Sequence, residues 1–321
     1  MTPNEPKNIG ILLGVLYGIS IRIIWDIEAL KDYAGLVTAT FMFLVPLVIG
    51  FIRVHYELKV NQKLSYGKMI TISWQPIFIF LLVTLIILLE GSICIIMALP
   101  AFMFFASLGG LLAGWLNRFI THRKNSTLLS VAFLPLLLAP VEINFLDSSR
   151  TYTVENSMVI QASPEVVWSQ LANVSTIDQD ELPFSLTHFI GVPRPIAANM
   201  DAAGIGAVRT STWEKGVEFK EVITDWVPNY KMSYTFDIDP DAIPDDALDK
   251  HVKLGGEYFS PIKGEYRITQ NETGHTVLHL NTTLLDNTNF GIYSRVWGEV
   301  IFQDFHTSLL KLMKSRAETI R

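Results

Sequence analysis

The sequence predicts a chain in two parts, an N-terminal bundle of transmembrane α-helices and a C-terminal α+β domain. Half of the 321 residues are hydrophobic and only 17% are charged, against about 25% charged in ordinary soluble domains. The long apolar runs stop near Leu146, and after Tyr152 short alternating segments and turn residues replace them. We therefore predict a membrane domain over residues 1–146 and a separate domain over residues 152–321.

Five apolar runs in the first part are candidates for transmembrane helices. A helix needs about 20 mostly apolar residues to cross about 30 Å of hydrocarbon. The runs that meet or nearly meet this length are Asn8–Trp25, Ala34–Val54, Gln75–Leu99, Ala101–Phe119 and Leu128–Phe145. The third and fourth runs adjoin at Pro100, and one helix over both would be too long to cross once. We therefore predict a tight hairpin turn at Pro100 and about five transmembrane helices.

Lysine and arginine in short loops predict the orientation, because they favour the cytoplasmic side. The loops after the second and fourth runs are basic, through Arg53, Lys59, Lys63, Lys68, Arg118, Arg123 and Lys124. The loop after the first run is acidic on balance, and the turn at Pro100 has no charge. These charges predict a cytoplasmic N-terminus, five crossings and an extracytoplasmic C-terminal domain. A weak run that does not cross would reverse the location of that domain.

Two features of the apolar runs go beyond hydropathy. Gly10, Gly14 and Gly18 form a small-residue face at helical spacing, which favours close packing within the bundle or a homodimer through this face. Arg22 and Glu90 lie within apolar runs at similar predicted depth, and ionisable groups there are costly unless they have partners. We predict that these two residues form an ion pair. The scarcity of other polar residues in the runs argues against a transporter.

The second part reads as strand, short helix, several antiparallel strands and one long helix. Ser163 and Pro164 are a cap and a first residue typical of a helix. The predicted strands are Val154–Gln161, Gly206–Trp213, Val217–Trp226, Lys231–Ile238, Tyr258–Thr269 and Thr276–Leu285. The last helix, about Tyr293 to Ile320, has apolar residues at helical spacing. One long helix against one antiparallel sheet is a stable α+β layer arrangement.

The second part resembles a known family. The run Met158-Val-Ile-Gln-Ala-Ser-Pro-Glu-Val-Val-Trp-Ser-Gln-Leu-Ala-Asn-Val174 is similar to the opening of START-like (SRPBCC) domains, which include polyketide cyclase/dehydrase-like proteins. Gly206-Ala-Val-Arg209, Gly264-Glu-Tyr-Arg267 and the long helix with Trp297 fit the same plan. The resemblance implies a helix-grip fold, in which an antiparallel sheet wraps a long C-terminal helix around an apolar cavity. The whole chain resembles bacterial membrane-anchored members, which implies the inner (cytoplasmic) membrane.

The candidate binding residues combine one charged pair with aromatic and apolar side chains. Counted outward from Lys215-Gly216, Arg209 and Glu221 fall almost opposite each other on neighbouring strands. Facing inward, the pair could orient the polar end of a ligand. Facing outward, it would be an exposed pair worth under about 1 kcal/mol. The full set of predicted ligand-binding residues is Arg209, Trp213, Glu221, Tyr234, Tyr266, Trp297, Ile301 and Phe305.

Other site classes find less support in the sequence. The acidic stretch Asp237–Asp249 matches no calcium-binding loop and reads as a solvated loop. With one cysteine, Cys94, and no recognisable nucleophile or dinucleotide motif, we expect no metal and no cofactor. No basic stripe indicates nucleic acid. Glu221, His251 and His306 are weak candidates for an acid or base.

Three functions remain open at this point. The first is a binding or transfer domain for a hydrophobic small molecule or lipid, anchored in the membrane where such ligands partition. The second is an enzyme of the polyketide cyclase/dehydrase type that acts on such a ligand. The third is a protein-interaction or signalling module. The expected partners are accordingly membrane lipids and a hydrophobic ligand.

Overall fold

The computed structural model describes residues 5–27, 38–119, 124–145, 149–174, 176–244, 247–248, 253–256 and 258–319. The chain divides into two compact units, Met1–Asp147 and Ser148–Arg321.

The first unit is helical. Its helices are α1 (Glu5–Ile24), α2 (Val45–Leu58, preceded by a π-helical turn at Thr40–Leu44), α3 (Tyr66–Ile86), α4 (Ser92–Phe119) and α5 (Lys124–Phe145). Among the described residues, three helical segments are long and apolar enough to cross a membrane, namely Thr40–Leu58, Tyr66–Ile86 and Ser92–Phe119. Asn8–Ile24 and Leu128–Glu142 are shorter apolar helices. The composition thus marks a membrane protein, as the sequence predicted. The membrane concerned and the orientation stay predictions.

The hairpin turn predicted at Pro100 is wrong. Helix α4 continues through Pro100, and the turn between α3 and α4 lies at residues 87–91. Leu88 takes a left-handed backbone conformation there, with φ of 57°. A proline removes one helical hydrogen bond, whereas a break in an apolar environment would leave more backbone groups unpaired. Helix α3 also begins at Tyr66, earlier than predicted, because Ser65 caps it by accepting a hydrogen bond from the Lys68 amide.

Glycines allow the helices of this unit to approach each other closely. A Cβ atom at Gly109 would lie 1.8 Å from the Leu47 carbonyl oxygen, and one at Gly50 would lie 2.0 Å from that of Ala106. Helices α2 and α4 are therefore in backbone contact, as small residues permit in membrane bundles.

The glycine face of α1 also packs within the chain. Gly10 faces α2 at Tyr56, while Gly14 and Gly18 face Pro76 and Phe80 of α3. The face considered for a homodimer is therefore covered by the chain's own helices.

The second unit is one antiparallel sheet curled against a long helix. The strands are β1 (Arg150–Ile160), β2 (Pro195–Met200), β3 (Val208–Trp213), β4 (Glu218–Val227), β5 (Lys231–Asp237), β6 (Phe259–Gln270) and β7 (Thr276–Asp286). They are ordered β1-β7-β6-β5-β4-β3-β2. The helices are α6 (Pro164–Ala172), α7 (Leu186–Phe189) and α8 (Gly291–Thr319), and α8 packs against β1 and β7. This is the helix-grip architecture that the resemblance implied.

The edge strand β2 was not predicted. Pro195 is the first residue of β2, and proline is tolerated at the start of an edge strand. Strand β7 and most of β4 alternate more and less buried residues, so one face of the sheet is the core face. Its apolar cluster includes Ile223, Met232, Leu278 and Leu310.

Candidate functional site

Arg209 and Glu221 form a buried ion pair on the inner face of the sheet. They lie directly opposite each other on β3 and β4, and are only 3% and 5% exposed. The Arg209 Nε donates a hydrogen bond of 2.6 Å to Glu221 Oε2, and its Nη2 contacts the same oxygen. Nη1 donates to the Leu171 carbonyl oxygen at 2.8 Å. The pair therefore faces inward and also ties the end of α6 to the sheet.

Two tyrosines complete this polar cluster. The Arg209 guanidinium lies 5.1 Å from the ring centre of Tyr234 and 5.6 Å from that of Tyr266, which is the range of cation–π attraction. Gly264 makes room for Tyr234, because a Cβ atom there would lie 2.3 Å from Tyr234 Cζ. We name Arg209, Glu221, Tyr234 and Tyr266 the polar cluster.

Burial and the ion pair shift the pKa values of the cluster in definable directions. Burial raises the pKa of Glu221, and the adjacent guanidinium opposes that shift. Burial is the largest single influence on the Arg209 guanidinium and lowers its pKa, but Glu221, Tyr234 and Tyr266 together raise it by more, so the guanidinium stays charged. Burial also raises the pKa values of Tyr234 and Tyr266, whose hydroxyl groups therefore keep their protons at neutral pH and can donate hydrogen bonds.

A row of aromatic rings leads from the polar cluster to α8. The centroid distances are 5.3 Å for Tyr234–Phe236, 5.8 Å for Phe236–Phe219, 5.8 Å for Phe219–Trp213 and 5.2 Å for Trp213–Phe305. Phe219 is buried, whereas Trp213, Phe236 and Phe305 are only half-buried. We name Phe236, Phe219, Trp213 and Phe305 the aromatic row. It is apolar area that the sheet and helix leave partly open.

The other predicted residues of α8 are less central. Ile301 is half-buried, and its carbonyl oxygen accepts a hydrogen bond from Thr187 Oγ1 at 3.0 Å. Trp297 is half-buried and makes none of the described ring contacts of the aromatic row. The residue of α8 that belongs to the row is Phe305. The predicted ligand-binding set left out Phe219 and Phe236, although their alternation along β4 and β5 indicates the inner face.

His306 is fully buried where α8 meets the sheet. Its Nε2 lies 2.8 Å from Thr282 Oγ1, and its Nδ1 lies 3.1 Å from Asn156 Oδ1. Because an amide oxygen only accepts, Nδ1 carries the proton and Nε2 accepts from the threonine hydroxyl. Burial lowers the pKa of His306 to about 4. It is therefore neutral and engaged at neutral pH, which disfavours its use as an acid or base.

The described residues hold no group of three or more metal-ligating side chains placed to bind an ion. His251 and part of the acidic stretch, including Asp245, Asp246 and Asp249, lie outside the described residues.

The first unit brings Arg22 and Glu90 together. The fully buried Arg22 donates from Nε to the Glu90 carboxylate and from Nη2 to the Leu89 carbonyl oxygen at 2.8 Å. Glu90 does not lie inside a helix, as the sequence analysis had it, but in the turn between α3 and α4. Its ion pair with Arg22 makes a carboxylate tolerable in this apolar region.

Sequence reasoning missed two further polar groups in this unit. Arg53, counted as a loop charge, lies inside α2, where it pairs with Glu57 at 3.0 Å and donates to Gln75 Oε1 at 3.0 Å. The buried Glu142 carboxylate accepts from the Thr40 amide at 2.7 Å. The apolar unit is therefore richer in buried polar groups than predicted. The orientation prediction also loses one of its basic loop residues, because Arg53 lies inside α2.

No protein-family model matches the chain, and no curated protein matches it significantly. Solved structures that resemble it include a Staphylococcus aureus protein of unknown function (14% identity, 54% of this chain and 96% of that chain, TM-score 0.35). Others are the di-domain ARO/CYC BexL from the BE-7585A biosynthetic pathway (14%, 64% and 60%, 0.34) and norcoclaurine synthase from Thalictrum flavum (12%, 54% and 90%, 0.34). Likenesses this distant carry no argument about activity, so the fold assignment rests on the topology above and the function on the site.

Proposed function

We propose that the second unit binds a hydrophobic molecule with one polar end, and that the apolar helices anchor this binding domain in a membrane. One observation carries the proposal. The buried polar cluster adjoins the aromatic row through Tyr234 and Phe236, and three of the four rings in the row are only half-buried. Ligand sites of this kind combine mostly apolar walls with a few fixed polar groups.

The two parts of the site would serve different parts of the ligand. The aromatic row offers flat apolar area to a chain or ring system, and transfer of such a group out of water is favourable by about 25 cal/mol per Å². The ion pair fixes the tyrosine rings, whose hydroxyl groups would donate to an acceptor oxygen at the ligand's polar end. Arg209 already donates hydrogen bonds to Glu221 and to the Leu171 carbonyl oxygen. Its role in this proposal is therefore to position the tyrosines and not to bind the ligand directly.

Binding or transfer is favoured over catalysis by the state of the candidate acids and bases. Glu221 is paired with Arg209, and His306 is held between Thr282 and Asn156. An acid or base needs a proton within reach of the substrate, and neither described group offers one. We keep the extracytoplasmic location of this unit, in a bacterial inner membrane, as part of the proposal.

Photocrosslinking of the full-length protein would test this function. The membrane-embedded protein is exposed to a long-chain fatty acid carrying a diazirine and irradiated, and its adducts are mapped by peptide mass spectrometry. We expect adducts on the peptides that contain Trp213 and Phe305, and we expect unlabelled fatty acid to compete for them. Adducts confined to the helices of the first unit would contradict the proposal.

Matched substitutions sharpen the result. Trp213→Ala and Phe305→Ala shorten the aromatic row and should reduce adduct formation in the second unit. Tyr230→Ala removes an aromatic side chain of similar size that is 48% exposed and lies outside the row. It should leave the yield unchanged. Equal losses in all three variants would indicate general damage to the fold and not a site.

A further inference from the structure

The first half of α8 has an unusual outward face. In the second half, the exposed positions are polar: Gln303, Lys311, Ser315 and Thr319. In the first half, they are Arg295 and three apolar residues, Ile292, Val296 and Val300. A helix that packs against a sheet normally turns polar residues to water, so exposed apolar residues in one half only point to something that covers them.

These residues belong to a larger apolar surface. Ile292, Val296 and Val300 are spaced four apart and share one face of the helix. The next position in that series is Asp304, whose carboxylate accepts from the Thr187 amide at 2.8 Å and from the Ser185 hydroxyl. Asp304 thereby fixes α7 at the end of the stripe.

Helix α7 and Phe184, two residues before it, extend this surface with exposed side chains. Phe184 is 82% exposed and Phe189 is 72% exposed, with ring centroids 6.0 Å apart, and Leu186 lies between them in the chain. We name Phe184, Leu186, Phe189, Ile292, Val296 and Val300 the apolar ridge. From Ile292 to Asp304 the helix alone advances about 18 Å.

The ridge carries little net charge. Arg295, the exposed cation beside it, is paired with Glu299 at 2.8 Å one turn further along α8. A partner that binds here must therefore be recognised by its apolar character and not by a strong opposite charge.

The end of the domain that carries the ridge is also the end at which the chain arrives from the apolar helices. Arg150, the first residue of β1, donates to the Thr288 carbonyl oxygen. Its guanidinium lies against Gly291, the first residue of α8, where a Cβ atom would be 1.9 Å from Nη1. Ile292 is the next residue. Five residue steps separate the end of α5, Phe145, from Arg150, a tether of at most about 18 Å.

We propose that the apolar ridge docks on the surface of the lipid bilayer, with its aromatic and aliphatic side chains inserted among the headgroups. Burial of apolar side chains supplies the binding free energy, as in helices that lie in the membrane interface. The short tether raises the effective concentration of lipid at this end of the domain, so a modest patch suffices. The ridge is separate from the polar cluster, and the inference goes beyond ligand binding.

Fluorescence quenching in the full-length protein tests this proposal. With Cys94 replaced by alanine, Val296→Cys or Val227→Cys supplies a single site for an environment-sensitive dye. Val227 is the matched control, a valine 43% exposed against 53% for Val296, at the opposite end of the sheet. The labelled protein is placed in phosphatidylcholine nanodiscs, one copy per disc, with and without lipids that carry a spin-label quencher.

We expect the label at position 296 to lose fluorescence to the quencher and the label at position 227 to keep it, at low and high salt alike. Adding Phe189→Ser and Ile292→Ser should abolish the quenching at position 296. The same double variant should still form fatty-acid adducts at the aromatic row, so a failure of docking is distinguishable from a failure of ligand binding. Unquenched labels at both positions, in protein that elutes as a single folded species, would overturn the proposal. So would a ridge that associates with a second copy of the chain when several copies share a vesicle.

Discussion

Removal of one charge from the buried Arg209–Glu221 pair should cost far more than removal of both. Glu221→Gln keeps the side-chain volume but leaves the guanidinium with a neutral partner in a nearly dry environment. Because both residues are at most 5% exposed, the range for buried pairs applies, about 3–5 kcal/mol for loss of one partner. An exposed pair would contribute under about 1 kcal/mol.

The double replacement Arg209→Met and Glu221→Leu supplies the comparison. It removes both buried charges and keeps most of the apolar volume, and such exchanges are often close to neutral. We therefore expect the double variant to be more stable than Glu221→Gln alone. Strong coupling between the two positions is the signature of a buried pair.

Native-state hydrogen exchange by mass spectrometry measures the stability of each variant in the full-length protein. Peptides of β3 and β4 report the opening of the second unit separately from the helices of the first. Glu221→Gln should speed exchange in these peptides by at least about a hundredfold, since each 1.4 kcal/mol corresponds to a factor of ten. A single variant that exchanges within a few fold of the wild type would refute the reasoning. So would a double variant less stable than the single one.

Three further outcomes are expected. Burial lowers the pKa of His306 to about 4 from 6.5, so the unfolded state protonates first as the pH falls. Stability should then drop by roughly 3 kcal/mol between pH 6.5 and 4, and thermal scans of His306→Gln should lack this drop. Gly109→Ala should destabilise the helical unit, because its methyl group meets the Leu47 backbone, whereas Gly67→Ala, with open space around it, should be neutral or stabilising in the same detergent melts. In a double-mutant cycle with Arg22→Met and Glu90→Gln, we expect non-additive losses of thermal stability; additive losses would show that the two charges do not interact.

The strands and the long helix were predictable because their patterns are local. The alternation along β4 indicates a strand, the helical spacing in α8 indicates a helix, and the count from the Lys215-Gly216 turn places Arg209 opposite Glu221. The choice between the inner and outer face of the sheet depends on the whole sheet, so the count alone left that choice open.

The wrong or missing predictions concern features that depend on the surroundings or on distant parts of the chain. Pro100 breaks a helix in water, but an apolar environment favours an unbroken helix, and the sequence does not state which effect is larger. Strand β2 is a short edge strand whose pairing depends on β3. The Glu142 carboxylate, near the end of α5, accepts a hydrogen bond from the backbone amide of Thr40, about a hundred residues earlier in the chain. No local pattern predicts it.

The order of the strands also constrains when this domain can form. Strand β1 begins at Arg150, but its neighbour in the sheet is β7, where Arg150 pairs with Asp286. The two residues are 286 − 150 = 136 positions apart, so at about 5–20 residues per second a ribosome needs roughly 7–27 s to supply the partner. During that time β1 is made and unpaired, with its apolar residues available to other strands. The sheet can close only after β7 has been synthesised, later than all the described helices of the first unit, and any chaperone must protect β1 in that interval.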